Sequence, residues 1–474
     1  MTTEDILTLW KDDSTKNLDR YSTSISKNVD YIDNPEKYYR NEVSSISEWI
    51  KEWDFKKDKI DIYTHQIHRY PAMFIPQLIR KLMLEYSNED DIVLDIFNGS
   101  GTTSVESYLT NRQSIGLELN PLAYKISKVK TTCISKDILL SSYKKLSNDF
   151  FTSKIKESVE FEGIDTWFNE SSIEMLSHLL TCIRKQEDSN VTSVFEISFS
   201  DIVREVSVCR HNGFKLHRDK NKIDTIWNKE KLFDLFHKSF TKSLIGITQL
   251  SSSEKLKYVP DIRNVDSTIY QKSLDNKTDL IITSPPYGDS RTTVAYGQFS
   301  RLSSQWLGLI SLNERGFIEN IDNKLLGGST KGVDLDNPIL ETSNTLKTSM
   351  YSFQYLIDNS EGDKKSKLIK RTKDVLSFYI DLEKTIENSS KYLKDEKYFV
   401  LVTGSRTVKG IKLNTDLIIA EMSEKYGLLL DGILYRKTIP NKRMPHKVSA
   451  TNIVGEVAPT MSKESIILLR KGKL

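Results

Sequence analysis

Cysteine is scarce in this chain: Cys133, Cys182 and Cys209 are the three among 474 residues. An odd, widely spaced set cannot supply a disulfide framework, and it fits a reducing compartment. A net charge of one sign is also missing. Lys and Arg number 68 against 65 Asp and Glu, a balance of +3, so bulk composition does not announce a polyanion binder and local patches must decide. No run approaches the roughly 18 apolar residues of a membrane span. The first residues, MTTEDILTLWKDDSTKN, are polar and acidic, where a secretion signal would be basic and then apolar. There is no internal repeat and no low-complexity tract. What remains is 28% charged and 38% hydrophobic, which suits a soluble cytoplasmic protein of two or three domains, or one large domain with insertions.

What is present is an α/β rhythm. The first 60 residues are polar and aromatic, with a short helix expected over SISEWIKEWDF. In THQIHRYPAMFIPQLIRKLMLEYSNED, Pro71 suits a helix start, and Phe74, Leu78, Leu82 and Met83 fall near helical spacing. Then DDIVLDIFNGSGTTSVESYLTNRQSIGLELNP reads as a strand (Ile92–Ile96), a glycine loop (Phe97–Thr102), a helix (Thr103–Thr110) and a second strand (Ser114–Leu119). That is one βαβ unit with parallel strands. Residues 131–255 look mostly helical. Further strands are expected in KYVPDI, NKTDLIITSPPY, KYFVLVTGS, LLLDGILYRK and SIILLRK, and a helix over Asn414–Lys425. The organisation predicted is an N-terminal helical segment (1–60), a sheet domain assembled from 61–130, 256–290 and 395–474, and two mainly helical insertions, 131–255 and 291–394.

Two loops carry chemistry. In DIFNGSGTT, Gly99 and Gly101 let backbone pass close to a ligand beyond a strand end. The third glycine of a dinucleotide fingerprint is missing, as is the Gly-Lys-Ser/Thr of a P-loop, so no pyrophosphate is implied. Alone, such a loop is more often an ordinary tight turn. Glu118 alters that weighting. It ends the second strand at close to the ~20-residue spacing of a ribose-binding acid, although a solvated strand-end acid is the plainer account. Together they favour a nucleoside cofactor whose linker is not a pyrophosphate. The second loop is Ser284-Pro285-Pro286-Tyr287, after the apolar run DLIIT. Consecutive prolines fix φ and remove two donors, leaving rigid carbonyl acceptors. A tyrosine beside them can stack on a flat base. A Pro-Pro turn at a sheet edge is the bland alternative.

DIFNGSGTT, GLELNP and TSPPYGDS, with HRYPAMFIP upstream, resemble the S-adenosylmethionine-dependent DNA amino-methyltransferases. Ser-Pro-Pro-Tyr is similar to the cytosine-N4 form; adenine-N6 enzymes more often carry Asp or Asn first. The resemblance spans about residues 65–130, 255–290 and, more loosely, 395–474. It implies a Rossmann-like class I methyltransferase sheet, S-adenosylmethionine as cofactor, and site-specific methylation of cytosine N4 in double-stranded DNA. It also implies a restriction–modification role beside a separately acting endonuclease. By the same resemblance Phe97, Gly99 and Gly101 form the cofactor loop, with Asp95 near the methionine end. Glu118 binds ribose, Asp261 reads the adenine amino group, and Tyr70, Pro71 and Phe74 pack over the methionine moiety. Ser284, Pro285, Pro286 and Tyr287 form the catalytic loop, acting by direct in-line transfer to a flipped base. Adenine-N6 methylation uses the same scaffold and stays open as the alternative, with RNA or protein-glutamine methylation behind it. Cytosine carbon-5 chemistry needs a Pro-Cys pair, and the three cysteines follow Thr, Thr and Val.

Phosphate contacts are expected from two basic stretches. Between Arg204 and Lys222 lie six Lys/Arg against Glu205 and Asp219, and between Arg436 and Lys447 lie five with no acid. Arg210, Lys215, Arg218, Lys442 and Arg443 are the candidates, with Arg291 in the segment after the catalytic loop. A solvated charged face is an equally fair account of either stretch. Tyr296 and Gln298 are polar candidates for a substrate-side wall, on a helix burying Phe299, Leu302, Trp306 and Leu309. Cys209, His211 and His217 lack a fourth ligand at suitable spacing, so no metal is expected.

Overall fold

The computed structural model describes residues 47–49, 53, 55, 60–154, 158–210, 213–253, 257–288, 294–310, 317–404, 406–437, 447–449, 457–459 and 463–473. Its first element is not the helix suggested by SISEWIKEWDF. Strand β1 (Ser47–Trp49) pairs in parallel with Ile433–Tyr435, so partners distant in sequence override a short local pattern. Helix α1 (Pro76–Tyr86) starts at Pro76 and not at Pro71. Ala72 has φ +53°, which breaks helical geometry directly after Pro71 and leaves Phe74 outside. Leu78, Leu82 and Met83 form the buried face.

The βαβ unit follows its sequence closely. Strand β2 (Ile92–Asp95), helix α2 (Thr102–Leu109) and strand β3 (Gln113–Leu117) succeed one another, with Ile92 to Asp95 in parallel register with Gln113 to Gly116. Helix α3 (Pro121–Lys130) starts on Asn120, whose side chain accepts from the Leu122 and Ala123 N–H groups. Four longer helices come next: α4 (Lys136–Thr152), α5 (Glu170–Arg184), α6 (Ser189–Val206) and α7 (Lys229–Ser251). Ser135, Asn169, Asp188 and Asn228 cap their N-termini through side-chain oxygens. Strand β4 (Asp261–Arg263) pairs in parallel with β3.

Strand β5 (Thr278–Thr283) is buried at every residue, as a run without polar alternation predicts. Helix α8 (Tyr296–Leu307), α9 (Asn344–Asp358) and the long α10 (Gly362–Tyr392) lead into β6 (Leu393–Thr403), parallel to β5. The hairpin β7 (Arg406–Val408) and β8 (Ile411–Leu413), helix α11 (Thr415–Glu424), β9 (Leu428–Lys437), the pair β10 (Lys447–Ser449) and β11 (Val457–Pro459), and β12 (Lys463–Lys471) complete the chain. Strand β12 runs antiparallel to both β6 and β9.

Two compact units emerge. One comprises residues 58–267 with 294–322; the other draws on 1–57, 268–293 and 323–474. The first carries the parallel strands β2, β3 and β4 in that order, and the second carries β1-β9-β12-β6-β5. These divisions cut across those suggested by sequence. Residues 131–255 do not stand apart from the glycine-loop strands, because Leu122, Ile126 and Val129 of α3 share one core with Phe150, Phe195, Phe236 and Phe240. Tyr143 stacks on Phe240 with ring centroids 4.5 Å apart. Helix α8 joins that core too, driving Trp306 edge-on against Phe161 and Phe168; Leu302 is buried beside it, and Phe299 and Leu309 are partly buried. The segment 291–394 is therefore divided, with 294–322 in the first unit and 323–394 in the second. Parallel strands joined through helices give the chain a Rossmann-like α/β fold. Among the described residues no helix is long and apolar enough to cross a membrane.

Candidate functional site

The glycine loop is held from below by polar side chains. Asp95, buried at the end of β2, accepts from the Phe97 N–H at 3.0 Å and the Thr103 hydroxyl at 2.6 Å. It ties the loop to the first turn of α2. Buried Asn98 donates to Ser127 Oγ (2.7 Å) and accepts from Ser104 Oγ (2.7 Å), while its backbone N–H reaches Leu117 O on β3 (3.0 Å). Gly99 and Gly101 have φ of +51° and +85°, the region that favours glycine. Their reasons differ. A Cβ at Gly101 would collide with Ser127 of α3, whereas at Gly99 it would meet only Phe97 O at 3.8 Å. Gly101 serves loop-to-helix packing; at Gly99 a Cβ would meet no clash, so its positive φ and not crowding is what favours glycine there.

Glu118, just past the end of β3, accepts from Gly99 N–H (2.7 Å, through Oε2) and Asn120 N–H (2.6 Å, through Oε1). The side chain keeps some solvent exposure, yet the loss of water around it, aided by the charge of Asp95, pushes its carboxyl up to about 7 against those two donors. It is an acid poised at neutrality at the mouth of the loop. Tyr70 stands beside it: its ring stacks on Tyr296 at 6.0 Å and meets Phe299 edge-on at 5.9 Å. Burial and then the Glu118 charge hold the Tyr70 and Tyr296 hydroxyls protonated far above neutrality. Ser300 bonds to Tyr70 and accepts from the Asn120 side chain at 2.9 Å. Tyr296, read from sequence as substrate wall, is thus part of the Glu118 surroundings. Asn120 and Ser300 lie outside the sequence motifs; the Asn-Pro helix start is the local signal for Asn120, and Ser300 has none.

Pro71 is buried and Phe74 partly buried in the segment that follows Tyr70. Asp261 does not join the group. It opens β4 at the end away from Glu118, is exposed, and binds Arg263 at 2.7 Å. A two-residue step along a strand moves a side chain by ~6.6 Å, and a short acidic motif carries no information about which end of the strand it occupies. Asn264 lies at the correct end, donating to Glu118 O (2.7 Å) and Leu119 O (3.1 Å). The remaining set fits a nucleoside cofactor: a partly exposed carboxylate able to accept from ribose hydroxyls, an uncrowded backbone at Gly99, an aromatic wall and a buried acid under the loop.

The second loop follows β5. Pro285 is buried, and Ser284, Pro286 and Tyr287 are partly buried. The Tyr287 hydroxyl donates to Glu464 Oε1 at 3.4 Å. Glu464 is itself locked in a buried ion pair with Arg436 at 2.7 Å, and Arg436 also donates to Trp53 O at 2.8 Å. Gly288 has φ +129°, and a Cβ there would strike the Arg406 guanidinium. Arg406 lies across the loop end, lining a small cavity with Tyr287, Phe378, Tyr379 and Thr415. No sequence signal pointed to Glu464 or Arg406, since both act across long separations.

The basic stretch at 204–222 divides by role. Arg204 donates to Gly213 O and Lys215 O, and Lys222 to Glu205 O and Cys209 O, so both brace the turn closed by the Cys209–Arg218 bridge. Arg210, Lys215 and Arg218 point outward and are exposed. Gln298 accepts from Leu216 N–H at 3.2 Å, supporting the same turn. Arg291, His211, Lys442 and Arg443 lie outside the described residues. Among the described residues no three His, Cys, Asp or Glu side chains are grouped to hold a metal.

Comparison with known proteins adds independent findings. A DNA methylase family covering N6 and N4 enzymes matches residues 2–129. Type II methyltransferase M.MvaI of Kocuria varians is 37% identical over 423 residues, covering 86% of this chain and 91% of that protein. Type II methyltransferase M.MjaII of Methanocaldococcus jannaschii is 28% identical over 204 residues, 40% of this chain and 38% of its own length. Type II methyltransferase M.BsoBI of Geobacillus stearothermophilus is 23% identical over 280 residues, 53% of this chain and 51% of its own.

Proposed function

The chain belongs to the DNA amino-methyltransferases of the restriction–modification type, with S-adenosylmethionine as cofactor, and we propose that it methylates the exocyclic N4 of cytosine in duplex DNA. The observation carrying the choice of base is Ser284 at the head of the Ser-Pro-Pro-Tyr loop that ends β5. Adenine N6 carries the same two amino hydrogens, so the choice of base rests on residue type: Ser heads this loop as in the cytosine-N4 form, where adenine-N6 enzymes more often carry Asp or Asn.

Each side chain then has a task. Tyr287 stacks on the target base once it leaves the duplex, and Glu464 limits rotation of the tyrosine. Ser284 Oγ and the Pro285 carbonyl accept the two amino hydrogens, concentrating the nitrogen lone pair in one direction. Pro286 removes the backbone freedom that would blur that direction. The cofactor supplies an electrophilic methyl group on a positively charged sulfur. Glu118 accepts from the ribose hydroxyls, Gly99 and Gly101 carry the backbone past the nucleoside, and Phe97 and Asp95 shape the loop. Tyr70, Pro71 and Phe74 cover the methionine end. Arg210, Lys215 and Arg218, with Arg291, Lys442 and Arg443, serve as phosphate contacts. Sequence reading falls to the helices of 131–255 and to 323–394. The protein so acting works in the cytoplasm beside a separately acting endonuclease.

Incubation with labelled S-adenosylmethionine and plasmid DNA, followed by nucleoside analysis, tests this. N4-methylcytosine is the expected product. N6-methyladenine would overturn the choice of base, and label on protein alone would overturn the DNA assignment.

A further inference from the structure

Lys130 is the last residue of α3 and has no solvent exposure at all. Lysines are almost never fully buried unless paired. Among the described residues no carboxylate pairs with this one. Its Nζ reaches Ser100 Oγ at 3.3 Å and Met73 Sδ at 3.9 Å. A helix-terminal lysine usually turns back onto the last carbonyls of its helix; this one turns away from them. Both of its contacts lie in cofactor segments. Ser100 sits between Gly99 and Gly101, and Met73 between Pro71 and Phe74.

His65 and His68 have lowered pKa values, chiefly from burial and in smaller part from Lys130. Glu106, the nearby buried acid, is already engaged by His65 at 2.8 Å and Arg80 at 2.6 Å. Burial alone brings the Lys130 ammonium down to about 7. A buried ammonium facing a hydroxyl and a thioether is an incomplete ion pair.

We infer that Lys130 is the counterion of the carboxylate of S-adenosylmethionine. The methionine end carries an ammonium and a carboxylate. Lys130 supplies the cation for the latter, while Asp95 is taken up by the Phe97 N–H and the Thr103 hydroxyl inside the loop. This rests on reading Asp95–Gly101 and Glu118 as the cofactor loop. On that basis Lys130 is a binding residue specific to one functional group of the cofactor, and it fixes which way the amino-acid end lies.

The test uses two probes differing only in the carboxylate: S-adenosylmethionine and decarboxylated S-adenosylmethionine, titrated calorimetrically into the full chain. The wild type should prefer the carboxylated form by at least about tenfold, the scale of one hydrogen bond to a charged group. Lys130→Met should erase that preference by weakening S-adenosylmethionine alone. Its unliganded unfolding midpoint should not fall, because an apolar chain of similar length replaces an unpaired buried charge. An equal loss for both probes would reduce Lys130 to a structural prop and overturn the inference. So would equal affinities in the wild type, a result that needs no variant to fold. Glu118→Ala examines the underlying reading separately: it should weaken both probes alike. If it leaves both unchanged, the cofactor-loop assignment fails, and the inference with it.

Discussion

The loop after β2 and the loop after β5 both leave the carboxyl end of a buried parallel strand, and they are stiffened by opposite means. The glycine loop is made of residues with wide conformational freedom and is fixed by donors and acceptors on all sides: Asp95, Asn98, Ser104, Thr103 and Ser127. The Ser-Pro-Pro-Tyr loop is fixed covalently by its prolines, and its single tyrosine is tethered to a buried ion pair. The first arrangement lets backbone meet a ligand closely. The second presents rigid acceptors with few donors of its own. Under the proposed function the contrast is useful: a loop that cradles a flexible cofactor gains from small residues, and one that aims a lone pair gains from stiff ones.

Four measurements would break or sharpen this contrast. The largest effect should come from Glu464→Ala, which leaves Arg436 buried without its partner; unfolding in urea should show a loss of about 3–5 kcal/mol. If the tether is only electrostatic support, Arg436→Met with Glu464→Leu should recover most of it. Tyr287→Ala comes next. Methyl transfer should fall by roughly ten- to a hundredfold, the worth of one stacked base, while calorimetric cofactor affinity stays at the wild-type value. An affinity loss there would erase the division of labour between the loops.

Gly99→Val should do the reverse, weakening the cofactor by at least about tenfold, since a branched side chain at positive φ is strained by ~1–2 kcal/mol and takes up the uncrowded space beside the backbone. The mildest test is pH. If Glu118 is the ribose acceptor proposed above, hydroxyls bind its charged form best, so binding lowers a carboxyl pushed up to about 7 when free and releases its proton. The affinity for 5′-methylthioadenosine, which lacks the amino-acid end, should therefore climb as pH rises towards that value and level off above it. Glu118→Gln should flatten the curve.

The βαβ unit was legible because its signals are local. Turn glycines, an N-cap asparagine before proline and an apolar run ending in Pro-Pro each act within a few residues. Asp261 shows the limit of that approach: its motif was visible, but its end of β4 became known only from the register against Ile115. SISEWIKEWDF shows another, since Ser47–Trp49 becomes a strand through Ile433–Tyr435. The placement of α8 in the core around Phe161, Phe168 and Phe199 was equally hidden.

By itself, then, the sequence determined the two loops, their acid at Glu118 and the family, because backbone geometry and side-chain chemistry there are set by near neighbours. Only the tertiary structure decided what stands behind them. It joined Tyr296 to Tyr70, Glu464 to Tyr287 and Lys130 to Ser100. Burial and charge pairing depend on which distant residues share a core, and no local pattern encodes that.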